Sequence, residues 1–375
     1  MKNQDELVVV GMSGGVDSSV TAAILKEQGY RVVGLFMRNW EELDENGVCT
    51  SQRDYQDVVK VCEKLDIDYY TIDFVEEYRK QVFDDFVAEI KKGLTPNPDV
   101  LCNREIKFKV FFEQALQLGA DYLATGHYCR VGESDGRYKL LKGLDNNKDQ
   151  SYFLNSIPGE VLSKVLFPLG ELEKPQVRDI ARKFDLSTKE KKDSTGICFI
   201  GERNFENFIS QYIRSRPGDF VDTEGKVVGQ HNGAVFYTIG QRKGLGIGAR
   251  KDSSGEPWFV VEKDLESNQV IVAQGHQHPR LMRKWLIADD ISWIDKAPQF
   301  PFTCQAKIRY RQQDQSCVIS QTDEGRYKVE FDDDQRAMTI GQYVVIYQGE
   351  ICLGGGPITE LGPHREANSK KSSDS

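Results

Sequence analysis

Short apolar runs alternate with amphipathic segments up to about residue 200 of the chain. Four of the runs have the length and composition of buried strands, at residues 7–10, 32–37, 67–74 and 122–125. Between them, apolar side chains recur at helical spacing, as Val58, Val61 and Leu65 do. Such alternation predicts a parallel sheet with helices on both faces, whose ligands bind beyond the carboxyl ends of the strands.

The pattern changes after about residue 217. The apolar runs become short, rich in β-branched and aromatic residues, and separated by Gly, Asp and Asn. They form two blocks, one of residues 234–239, 258–262 and 270–273, and one of residues 302–310, 316–321, 327–331, 343–347 and 351–355. Short, regularly spaced strands are typical of small barrels and sandwiches. We therefore predict four segments: an α/β domain (1–204), a central β-rich domain (205–280), a C-terminal β-barrel (281–365) and a polar, disordered tail (366–375).

The charge of the chain limits how it could contact nucleic acid. A net charge of −9 excludes an indiscriminate nucleic-acid coat, so any RNA must bind to local basic patches. The cysteines form no Cys-x-x-Cys pair, no apolar run reaches membrane-spanning length, and the N-terminus lacks signal-peptide character. We therefore expect a cytoplasmic protein without a membrane span. No His or Cys spacing predicts a metal site, and we expect a monomer.

The most informative segment joins the first strand to the first helix. It reads Gly11-Met12-Ser13-Gly14-Gly15-Val16-Asp17-Ser18-Ser19. A glycine-rich turn of this kind directs unpaired backbone N–H groups and the positive end of the helix dipole at one point, where phosphate is the usual ligand. Asp17 would repel phosphate unless it binds Mg²⁺ or caps the helix.

Two common phosphate loops do not fit this segment. A Walker A motif requires a Lys that the segment lacks, and the glycine spacing differs from Gly-x-Gly-x-x-Gly. From the glycines alone, a tight strand-to-helix turn with a serine cap and no ligand remains the alternative.

Two cysteines differ from the others in their surroundings. Cys102 follows residues 95–98, where two prolines disfavour a helix, so we predict that a helix begins near residue 103 and places Cys102 at its N-terminus. The positive field there would favour the thiolate, and it would be reinforced by three cations: Arg104, Lys107 and Lys109. Cys198 lies in a predicted loop or short strand. The remaining cysteines, such as Cys62, are expected to be small buried hydrophobic residues.

The chain resembles the tRNA-specific 2-thiouridylase family in six strings that occur in order: GMSGGVDSSV, TPNPDVLCNREIKF, LATGHY, KDQSYFL, DSTGICFIGERNF and YTIGQRKGLGIG. The first string is shared with many ATP pyrophosphatases, whereas the two cysteine strings together are specific. The resemblance implies a PP-loop domain of the adenine nucleotide alpha hydrolase-like type and ATP-dependent 2-thiolation of the wobble uridine of tRNA. It implies ATP with Mg²⁺ as a substrate. The implied partners are the anticodon stem-loop of Lys, Glu and Gln tRNAs and a cysteine desulfurase or sulfur-carrier protein.

The resemblance also implies roles in the chemistry. The residues implied to bind ATP are Gly11, Met12, Ser13, Gly14, Gly15, Val16, Asp17, Ser18, Met37 and Gly126. Cys198 would carry sulfur as a persulfide, and Cys102 would be its partner, either liberating sulfide or resolving the intermediate. Both routes end in a disulfide between Cys102 and Cys198 that a reductant must open.

Base and RNA contacts are implied in the same way. Asn97, Pro98 and Asp99 would contact the uracil, and Asp99 would orient the base or transfer a proton; capping the following helix is the alternative for Asp99. The residues implied to contact tRNA are His127, Lys148, Asp149, Gln150, Tyr310, Arg311 and Gln342. In the predicted strand 302–310 and its continuation, alternate cations share one face: Lys307, Arg309 and Arg311. That face would follow phosphates, with a solvated strand face as the alternative.

Two other functions remain as alternatives. An amidating synthetase would use the same loop but deliver ammonia, and it would need a glutamine-hydrolysing partner but neither Cys102 nor Cys198. An RNA-binding or nucleotide-sensing protein would carry a degenerate loop and no activity. The intact string at residues 13–18 and the presence of both cysteines favour the sulfur-transferring enzyme.

Overall fold

The N-terminal part of the chain is built on a parallel sheet. The structure is a computed structural model that describes residues 3–41, 50–193, 204–248 and 255–365. Its first strands are β1 (Leu7–Met12), β2 (Arg31–Arg38), β3 (Asp68–Asp73), β4 (Tyr122–Ala124), β5 (Cys129–Ser134), β6 (Arg137–Lys142) and β7 (Val165–Leu166). Five of them form the parallel sheet in the order β3-β2-β1-β4-β7. The parallel sheet predicted from the sequence is confirmed.

Helices cover both faces of this sheet. The α-helices are α1 (Val16–Glu27), α2 (Thr50–Leu65), α3 (Val75–Tyr78), α4 (Asp84–Lys91), α5 (Pro98–Leu101), α6 (Phe111–Gln117), α7 (Gly159–Leu162), α8 (Lys174–Lys183) and α9 (Phe205–Ile209). Two π-helical segments, Arg79–Phe83 and Cys102–Val110, make α3 continuous with α4 and α5 continuous with α6. Short 3₁₀ helices occur at Ser151–Leu154, Ala234–Phe236 and Pro279–Leu281.

The alternation of side chains along β1 explains the two layers. Val8 and Val10 are fully buried in a core that includes side chains of α1, α2 and α8. Val9 points the opposite way, into a core that includes side chains of α4 and α6. Successive residues of a strand face opposite sides of its sheet, so a continuous apolar run is what a strand covered on both faces requires.

The chain from residue 218 onward is β-rich, as predicted. Its strands are β8 (Gly218–Val221), β9 (Val227–His231), β10 (Trp258–Asp264), β11 (Gln269–Gln274), β12 (Met282–Ala288), β13 (Ser292–Trp293), β14 (Phe302–Lys307), β15 (Gln315–Gln321), β16 (Tyr327–Arg336), β17 (Tyr343–Gln348) and β18 (Ile351–Leu361). The first four form a small sheet in the order β10-β11-β8-β9. The predicted strand at 234–239 is wrong, because turn hydrogen bonds from Phe236 N to Gly233 O and from Tyr237 N to Ala234 O form a 3₁₀ turn instead.

The last strands close into a barrel. Pairing runs β12-β16-β15-β14-β17-β18, and β12 also pairs with β18, so the six strands have no open edge between them. The predicted C-terminal barrel is therefore confirmed. The hairpin β5–β6 of the N-terminal part, which the sequence analysis did not predict, extends this sheet through Ile351 of β18 opposite Leu141 of β6.

Some expectations concern residues outside the described ranges. The tail 366–375 is one of them, and Cys198 is another. Within the described ranges, every helix is too short or too polar to cross a bilayer.

Candidate active site

The glycine-rich turn between β1 and α1 has a shape that only glycine permits at position 14. Gly14 has φ = +73°, and a Cβ on it would lie 2.5 Å from the backbone oxygen of Asp54. Left-handed conformation and close backbone approach are the two conditions under which glycine is required. The turn is therefore fixed by contact with the polypeptide that begins α2.

The hydroxyl groups of the turn bond within the turn itself. Ser13 N donates to Ser18 Oγ at 3.1 Å, and the two serine hydroxyls are 3.2 Å apart. Ser19 Oγ donates to Gly15 O at 2.7 Å. The N-cap of α1 is Gly15, which has no side chain to bond the first-turn amides. Within the described part of the chain, the N–H groups of residues 14–17 have no acceptor, so they form a cradle for an anion.

Asp17 has a partner that the sequence analysis did not consider. Lys174 Nζ, on α8, donates to both carboxylate oxygens of Asp17 at 2.7 and 2.9 Å, and Tyr128 Oη donates to Oδ1 at 2.8 Å. Asp17 therefore neither caps the helix nor presents an unoccupied carboxylate to Mg²⁺. Burial, followed by the charge and hydrogen bond of Asp17, raises the pKa of Tyr128.

A second acidic residue gathers three cations beside the turn. Asp193 accepts from Lys148 Nζ at 2.5 Å and Arg178 Nη2 at 2.8 Å, and it lies 2.9 Å from Lys174 Nζ. Burial would raise the pKa of Asp193, but the hydrogen bonds from Lys148 and Lys174 outweigh it and lower the pKa to about 2. Asp17, Asp193 and their cations form one network, which we call the loop network.

Lys191 holds the other side of the glycine-rich turn. Its Nζ donates to Gly14 O at 2.9 Å, to Asp54 Oδ1 at 2.8 Å and to Asp57 Oδ2 at 2.7 Å. This bond occupies the Gly14 carbonyl group, while the N–H groups of residues 14–17 remain available to an anion. The residues just before Cys198 in the sequence are thus tied to the turn twice, through Lys191 and through Asp193.

The rim of the sheet holds the two residues that the resemblance adds to the ATP site. Met37 is the last residue but one of β2, at the same edge of the sheet as the turn, and is half-buried against the core. Gly126 follows β4, and a Cβ on it would lie 2.9 Å from Ser18 N. The structure therefore brings Met37 and Gly126 to the rim of the glycine-rich turn, and a side chain at position 126 would collide with the start of α1.

A cavity of about 520 Å³ lies where the three parts of the chain meet. The N-terminal part contributes Asn97, Pro98 and Asp99 to its wall. The central part and the barrel contribute residues that include Phe236, Tyr237, Arg309, Tyr310 and Gln342. Aromatic walls with a few polar groups are typical of a pocket for a planar ligand. All three residues predicted to contact the base therefore line one cavity.

The helix that carries Cys102 begins earlier than predicted. Pro98 is its first residue, and Asn97 Oδ1 caps it by accepting from Val100 N at 3.4 Å. Proline is favoured at this position because its missing N–H would be unpaired there anyway. Cys102 is therefore not at the helix N-terminus but in its second turn, and Asn97 rather than Asp99 is the cap.

Cys102 is buried, with 3% of its surface exposed. It lies one turn after Asp99, and residues three apart on a helix are neighbours on its surface. Cys102 is thus a helix neighbour of Asp99, which lines the cavity. Cys198, the partner implied for it, lies outside the described residues.

Models of known protein families match three successive segments. A model described as "tRNA methyl transferase HUP domain" matches residues 6–202. One described as "tRNA methyl transferase PRC-barrel domain" matches residues 206–274, and one described as "Aminomethyltransferase beta-barrel domain" matches residues 283–358.

Curated relatives match nearly the whole chain. It is 61% identical over 364 residues to the tRNA-specific 2-thiouridylase MnmA of Protochlamydia amoebophila, covering 97% of this chain and 96% of that protein. It is 57% identical over 361 residues to the protein of this name from Pseudomonas fluorescens and 56% identical over 360 residues to that from Bacillus subtilis, with 96% of each chain covered. The chain belongs to the tRNA-specific 2-thiouridylase family. The family resemblance noted from the six sequence strings is confirmed.

Two of the residues implied to contact tRNA lie at the cavity of this thiouridylase. The Tyr310 ring packs on Phe153 with centroids 4.5 Å apart, and its hydroxyl donates to Lys148 O at 3.3 Å. Gln342 Nε2 donates to Thr95 O at 2.9 Å and so joins the barrel to the segment before α5. Burial, with the nearby charge of Asp149, raises the pKa of Tyr310 to about 12.

His127 and Asp149, for which RNA contacts are implied, are interior residues. The His127 ring lies between Phe108 and Phe167, its Nδ1 is 2.8 Å from Thr125 Oγ1, and burial followed by the charge of Lys107 lowers its pKa well below the usual value. Asp149 is 5% exposed and accepts from Gly143 N, Ser151 N and Ser151 Oγ. The Asp149 carboxylate therefore holds the loop around residue 149, whereas the His127 ring packs inside the N-terminal part.

Lys148, Gln150 and Arg311 have different surroundings. Lys148 belongs to the loop network through Asp193. Gln150 forms two bonds with the backbone of Tyr128, one through its side chain and one through its own N–H, each 3.0 Å long. Arg311 is exposed in a turn after β14 and remains open to solvent or RNA.

The predicted row of cations on one strand face is wrong. β14 ends at Lys307, which is buried and lies 3.6 Å from both Asp149 Oδ2 and Asp314 Oδ1. Arg309 turns inward, where its Nη2 donates to Ile239 O and Ala337 O. Strand alternation could not reveal this, because the acidic partners of Lys307 come from the loop that follows β6 and from the turn before β15.

The sequence analysis did not single out Lys174, Lys191 or Asp193 as site residues. Lys191 and Asp193 belong to a run of charged residues that, by itself, reads as a solvated linker. The one signal that could have drawn attention to them is their position directly before the Cys198 string. Lys174 has no such signal, since only the packing of α8 on α1 brings it to Asp17.

Proposed function

We propose that this chain transfers sulfur to C2 of the wobble uridine of tRNA, with ATP activating the C2 oxygen. The observation that carries the proposal is the cavity of about 520 Å³ lined by Asn97 and Asp99, because Cys102 lies one turn further along the same helix. The family membership of the chain gives the reaction class, and the glycine-rich turn supplies a cradle for the phosphates that the activation needs.

The first step makes the oxygen a leaving group. The uracil C2 oxygen attacks the α-phosphorus of ATP, an O–P bond forms, and pyrophosphate departs. The cradle of residues 14–17 would bind the β- and γ-phosphates through backbone N–H groups. These donors are fixed in place and would stabilise the negative charge of the departing pyrophosphate. Met37 and Gly126 would border the rest of the nucleotide.

The second step replaces the oxygen by sulfur. The outer sulfur of a persulfide on Cys198 attacks C2 and AMP leaves; Cys102 thiolate then attacks the Cys198 sulfur, and the S–S bond to the base breaks. Alternatively, Cys102 attacks the Cys198 persulfide first, and the released hydrosulfide attacks C2. In both cases Cys102 and Cys198 are oxidised to a disulfide, and an external reductant restores them.

Asp99 and Asn97 would hold the base during these steps. A carboxylate accepts a hydrogen bond from a uracil N–H, and an amide both donates and accepts. Reaching C2 requires the uridine to leave its stack, and the aromatic walls of the cavity suit an extruded base.

Mg²⁺ would enter as part of the ATP substrate. The described residues contain no group of three acidic, His or Cys side chains that could hold a metal ion, and Lys174 occupies the Asp17 carboxylate. A cysteine desulfurase or sulfur carrier would supply the persulfide, and we propose that the chain acts as a cytoplasmic monomer.

The family descriptions contain the words methyl transferase, so methyl transfer is the competing function. A methyl group moves from its donor to the RNA without release of pyrophosphate. A cradle of backbone N–H groups suits a reaction that binds and releases phosphate groups. It therefore favours nucleotidyl activation over methyl transfer. Nucleoside mass spectrometry separates the two products, because a 2-thiouridine and a methylated uridine differ in mass.

The experiment that tests the proposal substitutes the two cysteines. Cys198→Ser and Cys102→Ser should each abolish 2-thiouridine when the enzyme is supplied with tRNA, ATP and a cysteine desulfurase, because each thiol has a separate role. Pyrophosphate release should continue in at least one variant, since activation needs neither thiol. Cys317→Ala, in the barrel core, is the control for loss of a cysteine as such. Thiouridine formed by both serine variants would contradict the proposal.

A further inference from the structure

Two arginines meet at the junction between the central part and the barrel. Arg309 follows β14, and Arg336 ends β16. A Cβ on Gly240 would lie 3.3 Å from Arg309 Nη2 and 3.5 Å from Arg336 Nη1, so the two guanidinium groups approach the same point of the chain. Gly240 has φ = +82°, and the turn it belongs to lets both groups come close.

Among the residues that the structure describes, no carboxylate pairs with either arginine. Arg309 Nη2 donates to Ile239 O at 3.1 Å and Ala337 O at 2.7 Å. Arg336 Nε donates to His276 O at 2.7 Å, and its guanidinium lies over the Phe259 ring, 4.7 Å from the centroid. In the described part of the chain, neither forms an ion pair within 4.0 Å, although the chain as a whole carries a net charge of −9.

Donors of both groups remain unused. Arg336 Nη2 is buried and, within the described ranges, has no hydrogen-bond partner. Arg309 bonds the chain only through Nη2, so among the described residues its Nε and Nη1 have no acceptor. Burial lowers the pKa of both arginines, and the charge of Arg309 lowers that of Arg336 further. Both nevertheless stay charged, since arginine does not lose its proton in proteins.

Arg309 lines the base cavity, and Arg336 approaches Gly240 in the wall of a neighbouring one. A smaller cavity of about 290 Å³ adjoins the larger one, and the two share Thr238, Gln241, Arg309 and Gln342 in their walls. Arg309 thus lies at the passage between them. Unneutralised guanidinium groups in a concave site favour a bound oxyanion, and phosphate matches the planar fork of arginine.

We propose that Arg309 and Arg336 bind a backbone phosphate of the anticodon loop, next to the nucleotide whose base enters the larger cavity. The inference rests on the proposed function, and it assigns the smaller cavity to the RNA backbone rather than to the base or to ATP. The phosphates of ATP have their own cradle at residues 14–17. The pair explains how an acidic protein provides a local basic site for RNA.

The test measures binding of an anticodon stem-loop RNA with uridine at the wobble position over a range of salt concentrations. For Arg309→Gln we expect roughly tenfold weaker binding at low salt. We also expect the slope of log K against log salt to fall by about 0.7, the value for one phosphate contact of a single strand. The matched control is Arg326→Gln, because Arg326 also lies on the barrel but pairs with Glu324 and Glu360. It should change neither quantity.

A second measurement uses the unaltered protein. Neutral methylphosphonates placed one at a time on either side of the wobble uridine should weaken binding at one position. The Arg309→Gln variant should bind that RNA no more weakly than when either change is made alone, because both changes remove the same contact. Arg336→Gln repeats the cycle if the Arg309 variant does not fold.

The outcomes separate the inference from the function. If the wild-type enzyme makes 2-thiouridine but no methylphosphonate couples to either arginine, the phosphate site is wrong and the function stands. If inorganic phosphate stabilises the wild type and not Arg309→Gln, while RNA binding is equal in both, the site takes a small anion only and the inference is also overturned. Absence of thiolation by the wild type rejects the function itself.

Discussion

Glycine is required at position 14 for two reasons, a left-handed backbone and a close neighbour. A comparison with Gly119 separates them, because Gly119 shares only the left-handed backbone. Gly14 (φ = +73°) lies against the backbone of Asp54, whereas at Gly119 (φ = +83°) a Cβ would have no neighbouring atom within 4 Å. A side chain at Gly119 would therefore meet backbone strain alone. At Gly14 it would meet the same strain and a collision of the phosphate cradle with the start of α2.

We therefore predict that Gly14→Ala and Gly119→Ala will differ in kind. Gly119→Ala should cost about 1 kcal/mol of unfolding free energy, the strain of a left-handed alanine, and should leave ATP affinity unchanged. Gly14→Ala should also abolish ATP binding, because the cradle must move away from Asp54. Denaturant unfolding and calorimetric titration with ATP give the two quantities. Equal ATP affinity in both variants would show that contact with Asp54 does not shape the cradle.

Helix α8 is the element that balances the charge of the phosphate loop. It packs on α1 and carries Lys174 to Asp17 at one end, while Lys183 at the other end pairs with Glu27 at 2.5 Å. The two pairs join the same helices, but only the first lies beside the cradle, with Lys174 14% exposed. The second is a surface pair of small energetic value.

From this arrangement we predict an electrostatic effect on nucleotide binding. Lys174→Met should weaken ATP binding about tenfold, because the Asp17 carboxylate would then repel the triphosphate. Asp17→Asn in the same chain should restore most of the loss by removing the repulsion. Lys183→Met is the matched control on the same helix and should bind ATP as the wild type does. Calorimetric titration is the measurement, and failure of Asp17→Asn to rescue would assign Lys174 a steric role.

The elements also show what the sequence could and could not predict. The parallel sheet and the barrel could be predicted from the apolar pattern. A strand that is buried on both faces is a continuous apolar run, and a strand that is buried on one face alternates apolar and polar residues. The start of α5 was missed because Pro98 was read as a helix breaker, although proline is tolerated in a first turn that Asn97 caps. Lys307, Arg309 and Lys174 were misread or missed because their partners come from distant segments, and no local pattern records such pairings.

At the scale of the whole molecule, the barrel and the N-terminal part share one core. Tyr152 Oη donates to Tyr343 O at 2.9 Å, and Leu140 of β6 is fully buried opposite Cys352 of β18. The cavity of about 520 Å³ depends on this union, because its walls come from both sides.

We therefore predict that a chain ending at residue 280 will not retain a native N-terminal part. Leu140 and Tyr152 would lose their cover, so the shortened protein should bind a hydrophobic dye and unfold without a sharp calorimetric transition. A chain ending at residue 365 is the control and should melt as the full chain does. A cooperative transition in the 280-residue chain, without dye binding, would mean that the N-terminal part folds independently of the barrel.

The ladder between β6 and β18 has a consequence for the order of events on the ribosome. β18 is the last strand of the described chain, so Leu141 must wait for Ile351 to be synthesised before the two can pair. The N-terminal part leaves the ribosome first, but Leu140 and Tyr152 stay without their cover until the barrel strands have been made. The pocket for the base is likewise completed only after these strands have been made, so a shorter nascent polypeptide would be unable to accept an anticodon.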